Sequence, residues 1–453
     1  MVLYLYTEIN LKNMTLKLSF YKSKSFKIHF GIVILLFCSS FYCKGQCKDT
    51  YSNSSDSLPK PFATKSTRNY SNVIGWEDGR TPIAPKGFLV TKYADSFENP
   101  RWMYVTPNGD VLVAESNSNH TLLEKIGGRI LGASKSNNLK NSVDRITLLR
   151  DTNKDGIPDL RTAFLTKLNQ PFGMLVIGNW LYVANVNAIL RFPYHVDDTI
   201  IREKGEKILD LPGGKHTKHW TRNLIANADN TKIYVAVGSN SNVAEKGIEK
   251  ELKRADILEI NTDGSGERIY ASGLRNPVGM GWEVGTKTLW VAVNERDELG
   301  DELVPDYLTS VKEGGFYGWP YSYYGQHEDP RVKDKRPDLV KKAIVPDVAL
   351  GSHTASLGLA FYTGKSFPTK YHNGAFIAQH GSWNRSVLAG YRVVFVPFEK
   401  GKPIGKPEDF LTGFMVDTQK KVYGRPVGVI VIPDGSLLVT DDVTNTIWRV
   451  SFK

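Results

Sequence analysis

The residues of this chain whose types and spacing first suggest chemistry lie at the two ends of one expected hairpin. The unit opens with Leu274-Arg275-Asn276-Pro277, passes through a short apolar run, turns at Gly285-Thr286-Lys287, and leads out through Thr288 to Val293 into Asn294, Glu295, Arg296 and Asp297. β-Branched and aromatic residues bounded by Gly, Pro and Asn mark both runs as strands. An antiparallel hairpin returns its last residues to the end where its first ones lie, so two arginines, two carboxylates and two amides converge. Such a group suits a small anionic ligand with a metal ion beside it; a solvated loop with surface ion pairs is the plain alternative. A second stretch, Asp151-Thr152-Asn153-Lys154-Asp155-Gly156-Ile157-Pro158-Asp159, sets oxygen side chains at alternate positions with glycine at the sharp turn. That is the pattern of a structural calcium loop using Asp151, Asn153, Asp155 and Asp159. Its twelfth position is Thr162 rather than Glu, and an Asx-turn hairpin fits the same residues.

The elements that must position these residues recur along the chain. The hairpin at 274–295 is the fourth of six related units, the others opening at Arg101, Gln170, His219, Ser356 and Arg425. Further strand-like runs lie between them, such as Ala188 to Phe192, Asp256 to Ile260, Tyr391 to Pro397 and Thr446 to Val450. Six repeats of roughly four short strands, with little helical periodicity between them, predict an all-β six-bladed β-propeller of four-stranded antiparallel blades. A β-sandwich accommodates the strands but not their regular recurrence. Gly87 to Tyr93 has no hairpin of its own and is placed to close the ring on the last blade. Radial stacking would gather Arg101, Glu115, Gln170, Asn185, His219, Ser239, Arg275, Asn276, Glu295, His380, Arg385, Arg425 and Asp441 on one face, as a polar basin over a central channel.

At 453 residues, 41% hydrophobic and 23% charged, the composition is that of a globular protein, neither disordered nor a polytopic membrane protein. Lys22, Lys24 and Lys27 precede the apolar run Phe30 to Phe37 and the small residues Ser39 and Ser40, the layout of a secretory signal that could equally start at Met14. Residues 1–48 are expected to be a leader, 49–85 a linker and N-terminal extension, and 86–453 the propeller. Within the extension, residues 49–70, rich in Ser, Asn, Lys and Thr, read as a flexible tether. The chain is therefore expected in the periplasm or at the cell surface. Cys38, Cys43 and Cys47 are its three cysteines and all lie in the leader, so the folded part holds no disulfide or thiol site. The residues before each cysteine fit a lipid-attachment signal poorly, and membrane contact is expected only if such an anchor forms. No CxxCH haem-attachment sequence occurs. The leader carries seven Lys and one Glu, so only +5 of the formal charge of +11 stays with residues 49–453. A nucleic-acid partner thereby loses its main support.

The motifs HWTRNL from His219, GLRNP from Gly273, VNERDELGD from Val293 with GGFYGWP from Gly314, HGSWNR from His380 and GRPVG from Gly424 together resemble the soluble glucose and sorbosone dehydrogenase family. These are six-bladed quinoproteins that use pyrroloquinoline quinone (PQQ). The resemblance covers the chain from about Gly87 onward and is closest to the sorbosone branch. It implies an exported dehydrogenase that oxidises the hydroxyl or hydrated aldehyde of a sugar by base-assisted hydride transfer to the quinone, electrons then passing to a separate acceptor. His219 matches the family's base, and an imidazole titrating near ~6.5 suits proton abstraction at neutrality; a surface histidine beside His216 is the plain alternative. Arg275 and Asn276 match cofactor-holding residues, with Arg275 placed to stabilise charge on a quinone oxygen. Gln170, Lys365, Arg385 and Arg425 are the remaining expected cofactor contacts, arginine forks being suited to a tricarboxylate. The family's calcium would draw on Glu295, Asp297, Glu298 and Asp301, through carboxylates or carbonyls. The chain departs from the glucose-oxidising members in having Asp297-Glu298 in place of a Gly-Pro pair, and Ser239-Asn240 where they carry an Asp that orients the base. Two other classes also fit a propeller. A calcium-dependent lactonase or related hydrolase would need carboxylate and Asn ligands at the channel centre. A non-catalytic glycan-binding propeller would stack sugars on Trp220, Trp319, Tyr321, Tyr323 and Tyr324, residues that fit a core equally well.

Overall fold

Val111 to Glu115, Lys232 to Val237, Leu289 to Val293 and Leu437 to Asp441 are almost continuously apolar and almost wholly buried. That pattern belongs to strands covered on both faces rather than to the half-exposed strands of an open sheet. Each is the second strand of a blade, packed between neighbouring blades.

The computed structural model describes residues 58–136, 139–214, 219–416 and 420–453; the expected leader, its three cysteines and His216 lie outside them. Six antiparallel sheets follow one another along the chain. From the channel outward, blade 1 is Pro100–Val105, Val111–Glu115, Arg145–Arg150 and Leu160–Leu165, and blade 2 is Met174–Ile177, Trp180–Ala184, Ala188–Pro193 and Glu206–Asp210. Blade 3 is Arg222–Ala226, Lys232–Val237, Asp256–Asn261 and Arg268–Ser272, extended by Gly315–Phe316 in parallel. Blade 4 is Pro277–Trp282, Leu289–Val293, Pro305–Ser310 and Val348–Ser352, and blade 5 is Ser356–Phe361, Ala375–Gln379, Arg392–Val396 and Glu408–Leu411. Blade 6 is Pro426–Val431, Leu437–Asp441 and Thr446–Phe452, and its outermost strand is the early segment Phe88–Ala94. The propeller is therefore as expected, closed by N- and C-terminal strands in one sheet.

The core lies between blades. Trp102 of blade 1 sits with its ring centroid 4.7 Å from Phe172, which meets Trp220 edge-on at 5.9 Å. Phe88 on the closing strand is edge-on to Phe367, Tyr371, Phe410 and Phe452 at 4.7–5.4 Å. Each such ring removed from water contributes roughly 1.5–3 kcal/mol. Trp319, Tyr323 and Tyr324 are buried in this packing, so the stacking surface that a glycan-binding propeller would need is absent from these three residues; Trp220 is buried as well but borders the channel mouth.

Two features depart from expectation. A helix, Leu122–Ile130, is inserted between the second and third strands of blade 1, started by a capping box between Thr121 and Glu124. Residues 58–70 are no tether: Phe62, Thr64 and Asn69 bond to the 299–301 and 383–386 loops. Asn72–Val73 then pairs in parallel with Lys421–Val422, and the Trp76 indole donates to Asp441 at 2.8 Å. Among the described residues no helix is long and apolar enough to cross a membrane.

Innermost strands of neighbouring blades touch at glycines. A Cβ on Gly279 would lie 2.5 Å from the Leu357 carbonyl, and one on Gly358 would lie 2.3 Å from the Val427 carbonyl. Gly358→Ala is therefore expected to destabilise the fold by about 1–3 kcal/mol. Thermal unfolding should show a lowered Tm with the β-type circular dichroism of the native state retained.

Candidate active site

The loops preceding first strands and following second strands of the blades meet at one end of the channel. There they enclose two adjoining hollows of about 450 and 270 Å³. His219, Asn294, Ala355 and Trp383 line both.

His219 leads into blade 3. Its Nδ1 lies 2.8 Å from the Ser239 carbonyl and 3.0 Å from Ser239 Oγ. A carbonyl only accepts, so the proton sits on Nδ1 and Nε2 is the basic atom. Ser239, standing where the sequence offers no carboxylate, thus orients the imidazole through its backbone. Ser239 is itself fixed, its N–H donating to the Arg275 carbonyl at 2.8 Å and its hydroxyl to the Ser241 carbonyl at 2.7 Å. Beneath it, the Glu251 carboxylate accepts the Ser241 hydroxyl at 2.5 Å and the Asn240 N–H at 2.6 Å. Arg222, three residues beyond His219, is wholly buried and donates to the carbonyls of His219, Thr221 and Pro212 at 2.8–2.9 Å. Burial, with the neighbouring Arg254 cation, pulls its pKa down to about 9. It holds the backbone of the histidine loop in place.

Arg275 lines the larger hollow inside a cage of acceptors. Its guanidinium donates to Asn242 Oδ1 at 2.9 Å, to Asp297 at 3.2 Å and to the Glu295 carbonyl. Asn276 lines the smaller hollow, and its buried Oδ1 has no hydrogen-bond partner among the described residues. Such an orphaned polar atom costs stability unless a ligand or water meets it. A Cβ on Gly238 would come 2.2 Å from that oxygen, so only glycine there leaves room for the amide.

The smaller hollow also holds Arg101, His380 and Arg425. Asp442 ties them together, accepting from Arg101 and from His380 Nε2 at 2.9 Å. Burial, reinforced by the Arg425 charge, takes His380 down to about 4, so it stays neutral. Arg425 donates to the carbonyls of His380 and Gly381, both at 2.9 Å. Arginines, amides and the Trp220 and Trp383 rings in one hollow suit a flat, anionic, ring-bearing ligand.

Other expected contacts fall elsewhere. Gln170 lines neither hollow; its amide donates to the Asn117 carbonyl at 2.8 Å and so supports the channel wall. Lys365 lies in the connection between the first two strands of blade 5, at the opposite end of the channel, and is exposed. It cannot reach a ligand at this mouth. Arg385 is turned away into a pair with Glu302. Glu115, Asn185 and Asp441 serve as hairpin clamps, accepting the backbone N–H of Glu98, Asn169 and Arg425.

The expected carboxylate set for a quinone-site calcium is dispersed. Glu295 is buried against Arg296 at 2.9 Å, and Asp301 accepts the backbone N–H and hydroxyl of Ser386. Glu295, Asp297 and Glu298 of that set line the larger hollow, where Asp297 pairs with Arg275 and accepts from the Asn384 amide. Arg296 joins Glu295 to Asp329, whose carboxyl burial would raise but which Arg331 and Arg296 hold down to about 2. In the 151–159 loop, Asp151 accepts the N–H of Asp155 and Gly156, and Asp159 accepts from Thr152. These bonds build the Asx-turn alternative. Among the described residues no cluster of three or more His, Cys, Asp or Glu side chains is arranged as a metal site.

Sequence reasoning missed Arg68, Asn242, Glu245, His353 and Asn384, which line the larger hollow. Asn384 stands inside HGSWNR, so the motif held the signal; Arg68 sits in the expected tether and carried none.

This fold and mouth define a six-bladed propeller with two adjoining polar hollows at one end of its channel. A family model described as a domain of unknown function (DUF7133) matches residues 84–448, and the chain belongs to that family. It is 32% identical over 302 residues to an uncharacterized protein of Borreliella burgdorferi, covering 63% of this chain and 76% of that one. It is 27% identical over 197 residues to the aldose sugar dehydrogenase YliI of Escherichia coli, covering 42% of this chain and 46% of that one. The holo form of the PQQ domain of pyranose dehydrogenase from Coprinopsis cinerea superimposes with a TM-score of 0.65 at 18% identity, over 84% of this chain and 100% of that one. The resemblance to soluble quinoprotein sugar dehydrogenases read from the motifs therefore holds, and in structure it is a likeness of fold.

Close to the histidine loop, Asp256 opens the third strand of blade 3 and is almost wholly buried. Burial pushes its carboxyl up to about 8, with the Gly273 amide opposing and Glu251 adding to the rise. A carboxyl raised in the folded state contributes stability that is complete below its unfolded pKa of about 4 and is lost as pH rises towards 8. Asp256→Asn is expected to match the native protein near pH 4 and to exceed it at pH 8 by an amount on the order of 5 kcal/mol, read from denaturant titrations at both pH values.

Proposed function

We propose that this protein is an exported quinoprotein sugar dehydrogenase. The observation that carries the reading is the meeting of an oriented histidine, an arginine and an orphaned amide at one mouth, where His219, Arg275 and Asn276 line adjoining hollows. The names of the E. coli relative and of the C. cinerea structure support it. His219, protonated on Nδ1 by its bond to Ser239, takes the proton of a sugar hydroxyl at Nε2 as the C–H bond to the same carbon is broken. When bound, PQQ supplies the acceptor for that hydride, and its electrons leave to a separate acceptor. Arg101, Asn276 and Arg425 hold the flat anion in the smaller hollow. Arg275, on the wall of the larger hollow with His219, would supply positive charge where negative charge develops. Calcium is a proposed companion of the cofactor, with Asp297 and Glu298 as the carboxylates still facing the hollow. The basic, apolar leader supports export to the periplasm or cell surface.

The hydrolase alternative finds less support, because Asp442, the carboxylate of the smaller hollow, is paired with Arg101 and His380, and in the larger hollow Asp297 faces Arg275 and Glu295 faces Arg296.

The test is to add PQQ and calcium to the purified protein and to follow cofactor binding by fluorescence beside dye-linked aldose oxidation. His219→Ala should bind PQQ within about threefold of the native affinity and lose at least about 100-fold in kcat, the range of a general base. Arg275→Ala should weaken both. Absence of PQQ binding by the native protein would overturn the reading.

A further inference from the structure

The segment from Thr64 to Tyr70 is built into the mouth. The Asp301 N–H donates to Thr64 Oγ1 at 2.7 Å, the Asn69 N–H donates to the Trp383 carbonyl at 2.7 Å, and the Asn69 side chain donates to the Ser386 carbonyl at 2.9 Å. Tyr70 stacks on Trp383 with ring centroids 5.7 Å apart and planes 14° from parallel. Anchored on both sides, the intervening residues place Arg68 on the lining of the 450 Å³ hollow with His219. Arg68 is exposed there and has no ion-pair or hydrogen-bond partner among the described residues. An arginine held at the rim of a hollow, with its donors unspent, is arranged to meet a ligand rather than to stabilise the fold.

We propose that the N-terminal segment forms the sugar-binding rim of the site, with Arg68 donating to hydroxyl and ring oxygens of a neutral aldose and Trp383, backed by Tyr70, as the platform for its apolar face. The assignment rests on the dehydrogenase reading. Charge selects the neutral sugar. Arg68 and Arg275 share the hollow with Glu245, Asp297 and Glu298, so no excess of cations attracts an acidic sugar. The amides of Asn242 and Asn294 offer the paired donors and acceptors that hydroxyl groups use.

The test measures dye-linked oxidation of neutral aldoses and the matching uronic acids, with calorimetric titration of the same sugars, using native protein, Arg68→Ala and Arg68→Lys. Arg68→Ala is expected to raise KM for neutral aldoses about tenfold and weaken their calorimetric affinity equally, with kcat within about twofold; Arg68→Lys recovers part of the loss. PQQ binding and Tm stay at native values. Unchanged KM and affinity in Arg68→Ala, with the native protein active, overturn the rim assignment alone. A uronic-acid preference that disappears in Arg68→Ala overturns the neutral-sugar class. A native protein that binds PQQ but neither binds nor oxidises any aldose overturns the dehydrogenase reading and the rim with it.

Discussion

Backbone contact between neighbouring innermost strands is the constraint on which the rest of this molecule depends. At Gly173 the blade 2 chain donates to the Arg222 carbonyl of blade 3 at 2.8 Å, and a Cβ there would lie 2.6 Å from the Leu224 nitrogen. Gly279 and Gly358 repeat the approach between blades 4, 5 and 6. Side chains at these positions would spread the ring and widen the channel. With glycine the channel stays narrow, and the residues just before each first strand converge instead of ringing an open pore. Proline stands two residues before Gly173, Gly279 and Gly428, at 171, 277 and 426, and Pro277 and Pro426 open their strands, where no ladder donor is lost. The polar residue ahead of it, Gln170, Asn276 or Arg425, is thereby delivered to the mouth or to the wall that supports it.

Charge at the mouth is mostly compensated internally. Arg101 pairs with Asp442, Arg385 with Glu302 and Arg296 with Glu295 and Asp329. Buried pairs of this kind contribute little net stability, because desolvation offsets attraction, but each is costly to break. Their effect is to fix loops: Arg296 also donates to the carbonyls of Pro320 and Ser322, tying the NERDELGD loop to the GGFYGWP insertion. Arg222 differs, since its acceptors are carbonyls alone, and it carries an unbalanced cation beneath the histidine loop. A rigid, preorganised mouth with a few polar atoms left for a ligand is the result. The two hollows divide the work, arginines and rings around the smaller one and mixed charges and amides around the larger.

Period and punctuation made the fold legible. Apolar runs with Gly, Asn and Asp turns recur six times, and a strand-like run ahead of the first hairpin finds its partner in the C-terminal strand of the last blade. The same repeat register located His219, Arg275, Asn276 and Arg425 at equivalent hairpin ends, which is why these four reach the mouth. Lys365 failed because its place in the blade 5 connection put it at the other end of the channel. Gln170 and Arg385 failed because being near a mouth does not say which way a side chain points. Two of the expected calcium carboxylates are tied up for a related reason. Adjacent acidic residues in NERDELGD leave the backbone in different directions, and Glu295 and Asp301 found Arg296 and Ser386.

The sequence by itself determined strand order, blade number, ring closure and the set of hairpin ends that face the channel, because these depend on local hydrophobic period and turn chemistry repeated at regular intervals. Only the tertiary structure decided which polar side chains turn inward as clamps and which reach a ligand, because that choice is made by partners far away in the chain. It also turned an apparent tether into part of the mouth: nothing local marks residues 64–70 as structured. Their hydrogen bonds go to loops more than two hundred residues away, which exist as partners only once the propeller has closed.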